Sequence, residues 1–464
     1  MAKVTSLIAL QLKTQITDRF IVGTSVLAGA TSKLSTDVYA NDPNNYFWDD
    51  VTVGVLSITT KRGVDSYTGA QPIPTVSPGV MHVRTTNQLL DPKYYPFLKP
   101  RQEMRLVYLG DPSHPVIYQG KVDNIIVDYV ADREKPLIQF DVVDPVGLLQ
   151  QAKVKLTSLA YSANRTWNHR INEILTNANK LDILNKDKIT VDIVKGGLTK
   201  HGYWDGDMTV LEALQLANNT ECGFVYFDKN NILHAIGGPA NYNEFVSGSQ
   251  GLMNSTVSGQ SFTNLQSGVD EYAEGTSGML GYKNILIDYN SSAVVNQVVF
   301  QNQWGYTTTT VEADPTGEYF YANNTTEFVE NEATAPYNND ASINTYGTHA
   351  LTVNTNFDLS APTPNIQRMN ETALMILAKN VSPGAVAREI EWDGKKNLDW
   401  AVNSEILDKV YILHRNKKIK KEQNNNQFVE LDADYSIIGI QHEFQADEDT
   451  WRVKYILFEP TRFL

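Results

Sequence analysis

Residues 434–460, DYSIIGIQHEFQADEDTWRVKYILFEP, contain two segments of alternating apolar and polar residues on either side of an acidic turn. In the second segment the apolar residues recur at every other position: Trp451, Val453, Tyr455 and Leu457. In the first segment four residues share one face by the same spacing: Ile438, Ile440, His442 and Phe444. Alternation with period two is typical of strands that bury one face. The stretch therefore predicts a closing β-hairpin that completes a sheet with strands from elsewhere in the chain.

Outward from this hairpin, residues 51–150 are predicted to form a first β-barrel domain. Short apolar runs are separated there by turn residues: Pro78-Gly79, Asp91-Pro92, Gly110-Asp111-Pro112 and Gly120. Strands at such regular spacing are typical of a small barrel or sandwich. The run at 136–151, PLIQFDVVDPVGLLQQ, is interpreted as the last of these strands. Residues 1–50 precede this domain as a segment of unclear role.

Residues 151–240 are predicted to form an α+β domain because the hydrophobic period changes there. One helical face collects six apolar residues: Trp167, Ile171, Ile174, Leu175, Ala178 and Leu181. Thr209 and Glu212 have the spacing of a capping box for a second helix, and Gly223 is placed to end it. Two strands follow around a turn at 228–231.

Residues 241–345 are predicted to be a second β region, with strands at 283–290 and 293–313 and a long Asn- and Thr-rich loop at 322–347. Residues 346–464 are predicted to hold one helix, at 365–384, and the closing strands. The lysine-rich stretch at 417–427 is interpreted as a solvated turn rather than a binding patch. The predicted fold is mainly β with α+β insertions: several small barrel or sandwich domains, with barrels completed by sequence-distant strands.

Composition excludes several classes of function. The net charge of −14 argues against a protein that binds nucleic acid by neutralising phosphates. Cys222 is the single cysteine, so one chain can form neither a disulfide framework nor a thiolate metal cluster. The N-terminal residues lack the features of a signal peptide, and the sequence has no apolar run long enough to span a bilayer. These features favour a soluble protein made in a reducing cytoplasm.

No motif in the sequence indicates catalysis, a cofactor or a metal. The eight histidines show no zinc-protease spacing, and no phosphate loop, dinucleotide fingerprint or nucleophile elbow is present. The stretch at 201–209, HGYWDGDMT, resembles an active-site loop but is also a natural lead into the helix capped by Thr209. The stretch at 41–50, NDPNNYFWDD, would suit a sugar or weak calcium site, and a Tyr- and Asp-rich loop is the commoner structure. A carboxylate pair for glycoside hydrolysis needs no fixed spacing, and none is singled out. The prediction is therefore no catalytic, cofactor-binding or metal residue, and no cofactor.

Several stretches together resemble the minor tail proteins that form the baseplate hub of long-tailed bacteriophages. They are the barrel at 55–108, the strand run at 138–151, the helix and hairpin at 208–235, and the closing region at 346–460. The order and spacing of these stretches carry the resemblance, since each alone is a common pattern. The resemblance covers a little over half of the chain and brings no catalytic residue with it.

The resemblance implies a structural virion protein that is no enzyme: a hub that adapts and closes the distal end of the tail tube. It implies a homo-oligomer, a trimer, with tail tube or distal tail ring proteins, the tape-measure protein and receptor-binding proteins as partners. It implies no membrane insertion, and DNA only as passing cargo. The expected location is the virion tail tip, after assembly in the host cytoplasm. Two alternatives stay open: a receptor- or carbohydrate-binding tail module, favoured by 23 tyrosines, and a cell-wall hydrolase.

Overall fold

The structure is a computed structural model. It describes these residues: 3–15, 46–67, 75–92, 98–129, 135–153, 165–178, 190–192, 198–199, 209–221, 223–236, 260–264, 278–288, 294–313, 320–355, 364–380, 386–415 and 429–458. No helix among them is long and apolar enough to cross a lipid bilayer.

The described residues of the first half of the chain form twelve strands and three α-helices. The strands are β1 Ile8–Gln15, β2 Tyr46–Asp50, β3 Val55–Gly63, β4 Val80–Thr85, β5 Glu103–Tyr108, β6 Val116–Asp128, β7 Leu137–Val143, β8 Arg165–Thr166, β9 Thr190–Asp192, β10 Leu198–Thr199, β11 Phe224–Phe227 and β12 Leu233–Ile236. The helices are α1 Pro145–Gln151, α2 Trp167–Ala178 and α3 Val210–Glu221.

In the second half, the part of the chain that the structure describes contains eleven strands and three α-helices. The strands are β13 Gln260–Thr263, β14 Leu280–Gly281, β15 Asn284–Asp288, β16 Gln297–Ala313, β17 Phe320–Ala333, β18 Tyr337–Asn338, β19 Ala350–Thr355, β20 Val386–Asp393, β21 Lys409–Arg415, β22 Val429–Gln445 and β23 Thr450–Phe458. The helices are α4 Asp340–Tyr346, α5 Pro364–Asn380 and α6 Leu398–Asn403.

One 14-stranded sheet holds most of these strands. Its order is β14-β13-β21-β22-β3-β4-β7-β6-β5-β1-β2, and β23, β20 and β15 branch from β22. The fold is mainly β, as predicted, and the sheet combines strands from both ends of the chain. The described pairings form a branched path, so barrel closure and the five domain boundaries stay predictions.

The branch lies at β22, the first strand of the predicted closing hairpin. On one edge β22 pairs first with β21 and then, from Gly439 to Gln445, with β3. On its other edge it pairs with β23, which in turn pairs with β20. The hairpin is confirmed, and it joins an N-terminal strand to the strands of the C-terminal segment.

Two glycines allow the change of neighbour along β22. Gly63 has a φ of +81°, and a Cβ there would lie 2.3 Å from the carbonyl oxygen of Ile438. A Cβ on Gly439 would lie 2.2 Å from the carbonyl oxygen of Val64. Both distances are too short for a side chain, so the close approach of the two backbones requires glycine at both positions.

An aromatic core lies beneath the branch. The ring of Trp392 on β20 lies 5.7 Å from that of Phe262 on β13 and 5.9 Å from that of Tyr455 on β23. All three side chains are fully buried. The Tyr455 hydroxyl and Ser404 Oγ are 2.6 Å apart, so the phenol has a polar partner inside the core. The core thus connects strands that are distant in sequence.

The α+β unit matches its prediction. Thr209 Oγ1 accepts a hydrogen bond from Glu212 N at 3.2 Å, and Glu212 Oε2 accepts one from Thr209 N at 2.7 Å. The reciprocal pair confirms the capping box. On α2 the predicted face is buried at Trp167, Ile171 and Leu175. Leu181 and Cys222 lie outside the described residues.

A separate sheet of β16, β17, β18 and β19 packs against α5. Met369, Ala373 and Ile376 of the predicted helical stripe contact the strand residues Val298 and Phe300 in one core. The predicted strands at 283–290 and 293–313 are confirmed as β15 and β16.

The predicted loop at 322–347 is wrong. Most of it forms β17, β18 and α4. Asn and Thr suit a strand when a partner strand satisfies the backbone, and β17 pairs with β16 along most of its length. Asn339 caps α4 by accepting a hydrogen bond from Ser342 N at 3.0 Å.

Two further corrections concern the first 151 residues. The run at 136–151 ends in a helix: Asp144 Oδ1 accepts from Val146 N at 3.0 Å, and Pro145 occupies the first turn. The segment of unclear role contains β1, which pairs with both β2 and β5. The lysine-rich stretch at 417–427 lies outside the described residues.

Candidate scaffold junction and contact surfaces

The two stretches that resembled ligand sites do not form one in the described part of the chain. Residues 201–208 lie outside it, and Thr209 serves as the helix cap. Tyr46–Asp50 form strand β2 instead of the expected loop. Asp49 is buried and accepts a hydrogen bond from Thr14 Oγ1 at 2.7 Å, while Asp50 accepts from Thr52 N at 2.9 Å. Both carboxylates are therefore engaged in local structure.

Metal-ligating side chains do not cluster among the described residues. No group of three or more His, Cys, Asp or Glu side chains there could hold a metal ion. The histidines with acidic neighbours form pairs: His82 Nδ1 lies 2.6 Å from Asp141 Oδ1, and His234 Nε2 lies 3.4 Å from Asp228 Oδ2.

The main polar feature of the interior is a charged junction formed by Arg62, Lys229, Glu405 and Asp408. The Nη1 atom of Arg62 on β3 lies 2.7 Å from Glu405 Oε1, with the arginine side chain 5% exposed. Glu405 Oε2 accepts from the backbone N of Lys229, in the turn between β11 and β12, at 3.2 Å. Lys229 Nζ donates to the carbonyl oxygen of Val402 at 3.0 Å. The junction therefore joins the large sheet, the α+β unit and the segment after α6.

Burial raises the pKa values of two carboxyl groups in this region. It raises the pKa of Asp408 to about 6, although a hydrogen bond from Glu405 N at 2.8 Å opposes the shift. It raises the pKa of nearby Asp144 to about 7, against hydrogen bonds from Gly79, Gly147 and Val146. Carboxyl groups with shifted pKa values occur at active sites and also in buried structural networks. Here both groups bond backbone N–H groups that cap or close turns, which is a structural role.

Sequence reasoning missed the junction. Arg62 and Glu405 are 343 positions apart, and neither belongs to a motif. Arg62 stands between Lys61 and Gly63 at the end of β3, so no local pattern marks it as a buried charge. Only the pairing of β3 with β22 brings the residues together.

His442 lies on β22 in an aromatic stack. Its ring centroid is 6.0 Å from that of Phe444 and 6.2 Å from that of Trp451, and its Nδ1 accepts a hydrogen bond from Trp451 Nε1 at 3.3 Å. Burial, and then the charges of Arg62 and Lys229, lower the pKa of His442 to about 3. The folded chain therefore holds this imidazole neutral throughout the physiological pH range.

A pH dependence follows from His442. The unfolded chain protonates this residue below its ordinary pKa of 6.5, whereas the folded chain does not until about 3. The stability it contributes is thus full above pH 6.5 and is lost as the pH falls. We expect a loss of about 2 kcal/mol between pH 6.5 and pH 5. Asp144 and Asp408, whose pKa values are raised in the folded chain, add stability as the pH falls, and they do so in both proteins. Urea unfolding should therefore show that the free energy of unfolding of His442→Gln rises by about 2 kcal/mol relative to that of the wild type between pH 6.5 and pH 5. An unchanged difference between the two proteins over this range would contradict the assignment.

Exposed apolar side chains occur near the end of β6, in what we call the β6 surface. Ile126 is 53% exposed and Tyr129, just after the strand, is 61% exposed, whereas Ile125 and Val127 pack against the core. Exposed large apolar residues are common singly, and two of them close together favour contact with another protein.

A second candidate surface is the two-stranded arm, defined as residues 303–313 of β16 and 320–332 of β17. Beyond Asn302, β16 pairs with β17 and with no other described strand. The paired length from Trp304 to Ala313 is about 30 Å at the usual rise per residue. A two-stranded ribbon leaves both outer edges unpaired and is marginally stable by itself. The arm is thus a second candidate contact surface.

No protein-family model matches this chain, and no curated protein matches its sequence. Solved structures match over most of its length. A tail protein from Neisseria meningitidis MC58 superposes with a TM-score of 0.53 at 9% identity, covering 89% of this chain and 93% of that one. The 43 kDa tail protein of prophage MuSo2 from Shewanella oneidensis gives a TM-score of 0.50 at 13% identity, covering 90% and 95%. Identity this low establishes the fold alone. The chain therefore has the fold of phage tail proteins, as its resemblance to the tail hub family predicts.

Proposed function

We propose that this chain is a structural protein of a phage tail: the hub that closes the distal end of the tail tube and carries other tip proteins. The observation that carries the proposal is the shared fold, which spans about nine-tenths of this chain and of both tail proteins. A match of that extent covers the whole arrangement of sheets and inserted units, not a single common domain.

The interior suits a scaffold. The charged junction and the aromatic core beneath β22 fix three parts of the chain relative to one another. A load-transmitting hub needs such rigidity, since packed interiors transmit strain instead of absorbing it. The carboxyl groups with raised pKa values are buried and hydrogen-bonded to the backbone, which supports a role without catalysis.

The surface suits assembly. The β6 surface and the arm offer contact areas for tail tube or distal ring proteins, the tape-measure protein and receptor-binding proteins. A net charge of −14 keeps DNA from binding while it passes as cargo. The protein would work at the virion tail tip after assembly in the host cytoplasm.

The proposal includes a closed homotrimer, because an adaptor at the end of a tube needs rotational symmetry. Native mass spectrometry of the purified full-length chain at micromolar concentration should give three copies, and electron microscopy should show a ring. A folded chain that stays monomeric under these conditions would count against the hub.

A further inference from the structure

The arm has two open backbone edges. Up to Asn302, β16 pairs on one edge with β19 and on the other with β17 and β18. Beyond Asn302, no described strand other than β17 pairs with β16, and none other than β16 pairs with β17. Residues 303–313 and 320–332 therefore each present an outer row of backbone N–H and C=O groups that the described strands leave unpaired.

The sequence of the arm does not protect these edges. Edge strands that stay unpaired in natural proteins are often very short or carry lysine or proline. Neither strand of the arm contains lysine, arginine or proline, and β16 carries four consecutive threonines at 307–310, which favour strand pairing. The charged residues of the arm are four glutamates: Glu312 near the tip, and Glu327, Glu330 and Glu332 near the base. A long edge of this composition is expected to pair with another strand.

The open edges of two copies complement each other. The β17 edge of one arm can add to the β16 edge of the next arm and continue the antiparallel order. Base then lies beside base, which places the three glutamates of β17 next to residues 303–306 of the next copy, and these carry no charge. Pairing of β17 with β17 would leave both β16 edges open, and a strand from another protein would fill one edge of each arm. Head-to-tail addition alone uses both edges of every arm.

We propose that the arms of three copies pair edge to edge, β17 of each with β16 of the next, and close a six-stranded β-barrel. This proposal rests on the proposed homotrimer and names a contact that holds it together. A contact between two different surfaces, repeated head to tail, generates a ring when the rotation closes. Closure removes the open edges that leave an isolated two-stranded ribbon marginally stable.

Such a barrel would obstruct the centre of the ring. About eight strands give an interior that side chains just fill, so six strands leave no open lumen. By symmetry the barrel lies on the rotation axis, which in the proposed hub is also the axis of the tail tube. The arms would therefore close the tube, and they would have to separate before DNA passes.

Disulfide cross-linking between co-expressed full-length chains tests the pairing. All chains carry Cys222→Ala, because Cys222 is the single cysteine. One chain carries Thr308→Cys on β16, and its companion carries one cysteine on β17. The β17 positions alternate along the strand to allow for the stagger between copies, and they are Tyr321→Cys, Asn323→Cys, Thr325→Cys, Glu327→Cys and Val329→Cys. A control combines Thr308→Cys with Asp123→Cys, an exposed position outside the arm.

Oxidation should link the two chains covalently at one or two of the β17 positions, whereas neither chain alone and not the control should cross-link. A β17 chain that cross-links with itself would place two β17 edges together and overturn the arrangement. A trimer by native mass spectrometry without a cross-link in any combination would show that another surface closes the ring, and the proposed hub would stand. A wild type that stays monomeric would overturn both the barrel and the hub.

A chain without the arm provides a second readout. An Asn-Gly turn replaces residues 306–327, so that Gly305 and Phe328, which pair in the wild type, flank the turn. None of the described core residues lies in the deleted part, so thermal melting should match that of the wild type. Self-association should weaken at least about tenfold. Wild-type-like association of this folded variant would overturn the proposal.

Discussion

Truncation after Asp434 should yield a chain that aggregates and does not melt cooperatively. The deletion removes the second half of β22 and all of β23, so β3 loses a neighbour and β20 loses its link to the sheet. Four large side chains of β23 are fully buried: Trp451, Val453, Tyr455 and Leu457. Burial of each contributes about 1.5–3 kcal/mol, and together they rival the ~5–15 kcal/mol net stability of a typical domain. The exposed edges would also promote aggregation.

The control for this truncation is a change at the tip of the same hairpin. The sequence predicts that the whole acidic tip, 445–450, tolerates substitution, and the structure narrows that expectation. Asp449 Oδ1 accepts from Val4 N at 2.6 Å, and Asp449 Oδ2 lies 2.8 Å from Lys395 Nζ. We therefore expect full-length Asp447→Ser/Glu448→Ser to melt like the wild type. Solubility, size-exclusion profile and thermal melting compare the three proteins. A truncated chain that is soluble and melts like the wild type would disprove the integrating role of the hairpin.

Replacing Arg62 with methionine should lower the free energy of unfolding by about 2–3 kcal/mol. The substitution keeps an apolar stem but leaves Glu405, whose side chain is 21% exposed, without its cationic partner at 2.7 Å. The substitution should also loosen the turn between β11 and β12, because Glu405 Oε2 accepts a hydrogen bond from Lys229 N in that turn. Denaturant unfolding measures the energy, and hydrogen exchange at that turn reports the loosening.

Two further variants separate the ion pair from other effects of the substitution. Lys61→Met removes a cation from the adjacent, more exposed position on β3 and should cost about 0.5 kcal/mol or less. Arg62→Met/Glu405→Met removes both charges and should recover part of the loss. A double variant as unstable as Arg62→Met would show that packing, not the uncompensated charge, sets the cost.

Short sequence patterns predict the helices and strands whose stabilising contacts lie close together in the sequence. The capping box at Thr209, the helical stripe at Met369 and the alternation at Trp451 each predicted an element that the structure contains. In each case the signal and the stabilising contact lie within one element or one hairpin. The sequence also contains the helix-capping pair Asp144 and Pro145. The apolar residues on either side favour a strand, so local patterns do not predict this helix.

Contacts between distant segments could not be predicted in this way. The pairing of β22 with β3 joins residues such as His442 and Thr60, and no periodicity in either strand specifies the partner. The charged junction depends on that pairing. Residues 322–332 of the arm are predicted as a loop because Asn disfavours strands, and the long ladder with β16 overrides that preference. The resemblance to tail hub proteins predicts the overall fold, whereas local patterns do not specify which distant strands pair.

The proposed hub at the distal end of a phage tail has a defined position in the virion, and immunogold labelling can locate it. An epitope inserted between Asp447 and Glu448, at the exposed tip of the closing hairpin, would be labelled with gold-conjugated antibody on purified particles. Particles without the epitope serve as the control. We expect the label at the far tip of the tail. Label along the tail shaft or on the head, or epitope-bearing protein that is absent from purified particles, would contradict it.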